Sequence, residues 1–194
     1  KQGVNPGDHV AFALLNGAEA VRVILGLMYG GFVAVAVNLV SGKSTISYVL
    51  EHSEAKLVFV QPATEATVSE ADSTTKRVLI SPEIFSEQAE MQPAVSDTSD
   101  GLLMYTSGTT GRPKGVMLTH KALLAGGMNT AVAHELSPKD RALCVLPLYH
   151  INGQIVTTVA PLVPGGSVVM PRRFSVSGYW ETVSRLRCTW INVV

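Results

Sequence analysis

A chain of 194 residues that is 46% hydrophobic and 15% charged is long enough to bury a large core and too apolar to stay disordered. Lysine plus arginine equals aspartate plus glutamate, at 15 each, so no whole-chain field draws nucleic acid or an acidic membrane surface, and the composition argues against both as partners. Cys144 and Cys188 are widely spaced, lie in or beside strand-like runs and match no metal or redox spacing; they read as buried reduced thiols, which suits a reducing cytoplasm.

In chain order, HVAFALL (9–15) predicts a strand, 17–31 a helix, FVAVAVN (32–38) an extended run, 41–53 a helix and KLVFV (56–60) a strand. This βαβαβ order over 1–60 implies a largely parallel sheet with helices packed on it. Residues 20–40 approach the length of a membrane span, about twenty residues. Arg22, the Gly30-Gly31 pair and the change from Leu, Ile and Met to alternating Val and Ala predict a helix followed by a strand instead. The opening KQGVNPGDHV carries no signal-peptide pattern, and TWINVV ends as a bare apolar strand, so the sequence reads as an excerpt of a longer polypeptide.

Residues 61–100 are rich in Ser, Thr, Glu, Ala and Pro, with one short apolar run at 77–80, and predict a variable surface connection. Over 101–194 regularity returns. Strands are expected at 102–107, 115–120, 142–147, 167–171 and 189–194, and helices at 121–136, 151–163 and 177–187, the last with Ser177 as N-cap and Glu181 in its first turns.

GKST at 42–45 imitates the end of a P-loop, but the glycine that pattern needs five positions before Gly42 is Val37 here, so a turn and helix start is expected. The run YTSGTTGRPKG at 105–115 is denser in special residues than a polar hairpin requires. Gly108, Gly111 and Gly115 allow backbone amides to approach an anion or adopt positive φ, and Thr106, Ser107, Thr109 and Thr110 add hydroxyl donors. Lys114 supplies a compact positive charge, and Pro113 stiffens the approach to it. Polyphosphate is the expected guest.

YTSGTTGRPKGV resembles the phosphate-loop signature of the adenylate-forming superfamily, which includes acyl-CoA synthetases, peptide-synthetase adenylation domains and luciferases. The resemblance extends from VNPGDHVAFALLNG to the terminal strand. It implies an α/β fold of mostly parallel sheets with flanking helices, part of the large N-terminal domain of the acyl-adenylate-forming synthetases, with the small C-terminal domain absent. It also implies ATP, Mg2+ and coenzyme A as cofactors, a small-molecule carboxylic acid as substrate, and Thr106, Ser107, Gly108, Thr109, Thr110, Gly111 and Lys114 around the β and γ phosphates.

LPLYHINGQ (146–154) is similar to the proline, aromatic, histidine, glycine motif of acyl-CoA and aryl-CoA ligases, where peptide-synthetase domains usually carry a Phe-Asp stretch. The resemblance puts His150 near the reacting carboxylate, which makes it with Lys114 the expected catalytic pair, and leaves Asn152, Gly153 and Gln154 to line the acid's polar end. His9, His52, His120 and His134 read as structural, the helix-end pair His52 and His134 meeting terminal carbonyls, and no spacing suggests a metal cluster. Arg172-Arg173 reads as a solvated turn.

The implied parent is an acid–CoA ligase, of which 1–60, 101–194 and the connection between them form one incomplete domain that is inactive alone. Two alternatives stay open: a reduced nucleotide-binding module, and a ligase that loads a carrier protein instead of CoA. A homodimer is also left open, and the identity of the acid lies beyond the sequence.

Overall fold

A strand buried on both faces reads as an unbroken apolar run, and β1 (His9–Ala13) is one: Val10, Ala11, Phe12 and Ala13 all lie in the core. In the computed structural model, which describes residues 3–85, 95–106 and 112–193, β1 is flanked in parallel by β2 (Val33–Ala36) and β3 (Leu57–Val60). Helices α1 (Ala18–Tyr29) and α2 (Lys43–His52) alternate with them as the sequence predicts. Residues 20–40 are thus a helix followed by a strand, and among the described residues no helix is long and apolar enough to cross a membrane. GKST is a helix start, with Gly42 at φ 87 before Lys43, and Lys43 pairs with Glu70 at 2.7 Å.

The chain divides into two compact units, Lys1–Leu14 with Arg22–His120 and Leu15–Val21 with Lys121–Val194. The first holds a six-stranded sheet in the order β4-β3-β1-β2-β5-β6. Its outer members are β4 (Lys76–Leu79), parallel to β3, and β6 (Lys114–Thr119), antiparallel to β5 (Asp100–Thr106), which itself runs parallel to β2. Ala11, Val35, Val58 and Leu103 from the sheet and Ile46, Val49 and Leu50 from α2 form one buried cluster.

The stretch 61–100 departs from the expected surface connection. It contains α3 (Pro62–Ala71) and β4, a further βαβ step. The helix starts on a reciprocal capping box between Gln61 and Thr64 with Pro62 in its first turn, and the Thr64 hydroxyl also donates to the Ala13 carbonyl at 2.7 Å. Only Thr64 and Val68 of α3 are buried, so its apolar stripe is too narrow to stand out in the sequence.

In the second unit, β7 (Arg141–Leu143) lies between β8 (Ser167–Val169) and β9 (Trp190–Ile191) in a parallel sheet, all three shorter than predicted. Helix α4 (His120–Ala133) precedes it, and a π-helix (Asn152–Val159) leading into α5 (Ala160–Leu162) replaces the expected single helix. The N-cap of α6 (Tyr179–Arg185) is Gly178 and not Ser177; the Gly178 amide donates to the Ser175 hydroxyl at 3.3 Å, so the serine that receives it lies two positions earlier.

Asp72 turns the chain from α3 into β4, accepting from the Thr74 amide and hydroxyl, each at 2.7 Å, and from the Thr75 hydroxyl. Partial burial pushes its carboxyl up, but the hydrogen bonds from Thr75 and Thr74 outweigh that and bring it down to about 2. A folded pKa below the unfolded value gives stability that is complete above the unfolded value, near ~4, and is lost as pH falls through the folded one. Asp72→Asn is expected to lower the melting temperature at neutral pH, and its deficit to vanish between about pH 4 and pH 2 in a pH series of thermal unfolding.

Candidate functional site

In the first unit the candidate phosphate site lies at the Thr106–Lys114 end of the β5–β6 strand pair. Tyr105 faces Gly115 and Thr106 faces Lys114 in the β5–β6 register, so the hydroxyl and the ammonium of the motif start from adjacent backbone positions. Ser107, Gly108, Thr109, Thr110 and Gly111 lie outside the described residues. The Lys114 side chain is exposed and has no ion-pair partner among the described residues. Gly115 does not adopt the positive φ that the sequence reading allowed; a Cβ there would lie 3.1 Å from Leu103 Cδ1, so its small size serves close packing against that side chain.

His52 departs from its expected contact with terminal carbonyls. Its Nδ1 lies 2.9 Å from the Tyr105 hydroxyl, on the residue that opens the motif. Burial, followed by the neighbouring Tyr48, pushes the Tyr105 phenol up to about 12, so it keeps its proton at neutral pH.

In the second unit the motif 146–154 is a turn that runs into the start of the π-helix, and side chains hold it through its backbone. Asn16, itself buried, donates from Nδ2 to the Leu146 carbonyl at 2.8 Å and accepts from the Leu148 amide at 3.1 Å. Gln154 donates from Nε2 to the Leu148 carbonyl, and its buried Oε1 has no partner among the described residues. Gly153 packs directly under the turn: a Cβ would overlap the Pro147 carbonyl oxygen and sit 2.9 Å from that of Leu146. The π-helix is widened by two hydroxyls that reach five residues back, Thr157 to the Asn152 carbonyl at 3.0 Å and Thr158 to the Gly153 carbonyl at 2.7 Å.

These contacts leave the His150 ring exposed, with its centre 4.7 Å from that of Tyr149. Asn152 is half-buried and tied to Asn192, whereas Gly153 and Gln154 are buried. Cys144 is a free buried thiol, pushed up by that burial, and Cys188 is free and half-buried. No group of three His, Cys, Asp or Glu among the described residues could hold a metal.

Compared with known families, residues 1–194 match the one described as AMP-binding enzyme over their whole length. The chain belongs to the AMP-binding enzyme family. Among relatives, the sulfoacetate–CoA ligase of Cupriavidus necator is 44% identical over 99% of this chain and 40% of its own length. O-succinylbenzoate coenzyme A synthetase of Bacillus subtilis, solved with ATP and magnesium ion, superposes with a TM-score of 0.84 at 29% identity over 97% of this chain and 50% of that one. The same enzyme with its acyl-adenylate intermediate gives 0.83 at 30% identity, over 98% and 50%. The chain therefore spans about 40% of the length of the curated relatives it matches first.

Within this AMP-binding chain, sequence reasoning missed Asn16, Tyr48 and His52, whose contacts with the motif residues span long stretches of sequence. The π-helix did leave a trace, since Thr157 and Thr158 follow Asn152 and Gly153 at a spacing of five. Gly153→Ala is expected to cost about 1–3 kcal/mol, as overpacking in a filled interior does, and to appear as a lower denaturant midpoint in equilibrium unfolding.

Proposed function

We propose that this chain is the phosphate- and acid-handling part of an ATP-dependent carboxylic acid–CoA ligase. The observation that carries the reading is the β5–β6 register, which sets Thr106 opposite the exposed Lys114 at the two ends of a donor-rich stretch of sequence. An exposed ammonium on a strand end suits a triphosphate, because it meets the phosphate oxygens as a point charge without needing bidentate geometry.

In this reading Thr106, Ser107, Gly108, Thr109, Thr110, Gly111 and Lys114 bind the β and γ phosphates. A carboxylate oxygen of the acid attacks the α-phosphorus, the α–β bridging bond breaks, and pyrophosphate leaves with an acyl-adenylate remaining. Lys114 acts where charge develops on that leaving group. The thiol sulfur of coenzyme A then attacks the acyl carbon, the bond to the phosphate oxygen breaks, AMP leaves, and the thiol proton passes to solvent. Magnesium accompanies the triphosphate in this scheme.

His150 contacts the acid. Its exposed imidazole can donate to a carboxylate without carrying a fixed charge, while Asn152, Gly153 and Gln154 act through the turn that carries it. The 44% identity to a sulfoacetate–CoA ligase makes sulfoacetate the first acid to test.

With the full-length protein, sulfoacetate, ATP and CoA are expected to give pyrophosphate, AMP and a thioester detectable by mass spectrometry. Adenylate that CoA does not discharge points to a carrier-protein thiol as acceptor, and no pyrophosphate release across a panel of acids overturns the reading. Lys114→Ala is expected to slow adenylate formation about 10²-fold or more, as loss of other preorganised donors does; an unchanged single-turnover rate removes Lys114 from the mechanism. His150→Ala is expected to raise the KM for the acid and leave that for ATP in place.

A further inference from the structure

One helix contacts the chain on both sides of residues 107–111. Tyr48 and His52 are four apart on α2 and so share a face. Before that segment, Tyr105 meets both: its ring stands edge-on to His52 at 5.8 Å and to Tyr48 at 6.4 Å, in addition to its hydroxyl contact with His52 Nδ1. After it, the Arg112 guanidinium carbon lies 6.0 Å from the centre of the Tyr48 ring, within the range of a cation–π contact. Tyr48 and His52 also touch each other, with centres 5.1 Å apart.

The helix that carries this pair is itself fixed. Ile46, Val49 and Leu50 are buried in the core of the first unit, and Lys43 is paired with Glu70. Strand register passes the position on: Tyr105 is opposite Gly115, and the next pair is Thr106 with Lys114. A Cβ at Gly115 would lie 3.6 Å from the Tyr105 ring, so the ring rests on the backbone immediately beside Lys114. Because the Tyr105 phenol stays protonated at neutral pH, it has a proton to share with His52.

We propose that Tyr48, His52 and Tyr105 form an aromatic buttress that positions Thr106 and Lys114 for the triphosphate, so that α2 sets the affinity for ATP without touching it. The three are positioning residues, and their assignment rests on the phosphate reading of the β5–β6 pair.

The test uses the full-length ligase. His52→Ala is expected to raise the KM for ATP about 5-fold, the size of one net hydrogen bond, with the KM for the acid unchanged. His52→Asn, whose amide places a polar atom near that of Nδ1, restores most of the loss. Tyr105→Phe keeps the ring and removes one oxygen, so it reproduces the effect of His52→Ala while folding normally, and the double variant is no worse than either single one. Calorimetric titration with ATP reads the same weakening without turnover.

Equal rises in both KM values, failure of His52→Asn to restore ATP binding, or additive losses in the double variant overturn the buttress. If Lys114→Ala slows adenylation but Tyr105→Phe leaves ATP binding unchanged, the buttress fails and the phosphate reading stands. If Lys114→Ala changes nothing, both fall together.

Discussion

The candidate phosphate site depends on β5 being an inner strand. Its backbone is paired on one side with β2, through Ala34 with Leu102 and Val35 with Leu103, and on the other with β6 as far as Thr106 and Lys114. A strand with partners on both sides has its amides and carbonyls satisfied and its direction fixed. The segment that leaves its carboxyl end is thus carried by a rigid base, and the positions of Thr106 and Lys114 follow from register instead of loop conformation. Leu102, Leu103 and Met104 bury that strand on both faces, so moving it would open the core of the first unit.

The second unit solves a similar problem without a long strand. The turn at 146–150 is secured through backbone atoms, by Asn16 on Leu146 and Leu148, by Gln154 on Leu148, and by Gly153 lying close under Pro147. Buried side-chain amides suit this task because each offers a donor and an acceptor to a chain segment that has no strand neighbour. The outcome is a turn whose interior is occupied by structural contacts and whose imidazole stays exposed. Division of labour between buried amides and one exposed histidine also explains why motif residues so near in sequence differ in burial.

Much of this was legible in the residues. The alternation of apolar runs with helical periodicity gave the βαβαβ order, since strands covered on both faces must be continuously apolar. The motif at 105–115 stands out by its density of hydroxyls, glycines and charge, and its two ends lie on β5 and β6. By contrast, α3 was hidden because two buried residues and a capping box hold it, and the Ser177 cap failed because Ser175 reaches the Gly178 amide across the turn. Local patterns identify what a residue prefers, but not which of several nearby hydroxyls wins a donor.

By itself the sequence determined the fold class, the membership of an AMP-binding family and which charged and hydroxyl groups crowd into 105–115, because period, composition and motif are local properties of the chain. Tertiary structure alone decided that His52 and Tyr48 stand against Tyr105, that Asn16 grips the turn around His150, and that Gly115 packs closely against Leu103 instead of adopting positive φ. These pairings span from about ten to well over a hundred residues along the chain, and no local preference encodes them; only closure of the sheets brings such partners within hydrogen-bonding distance.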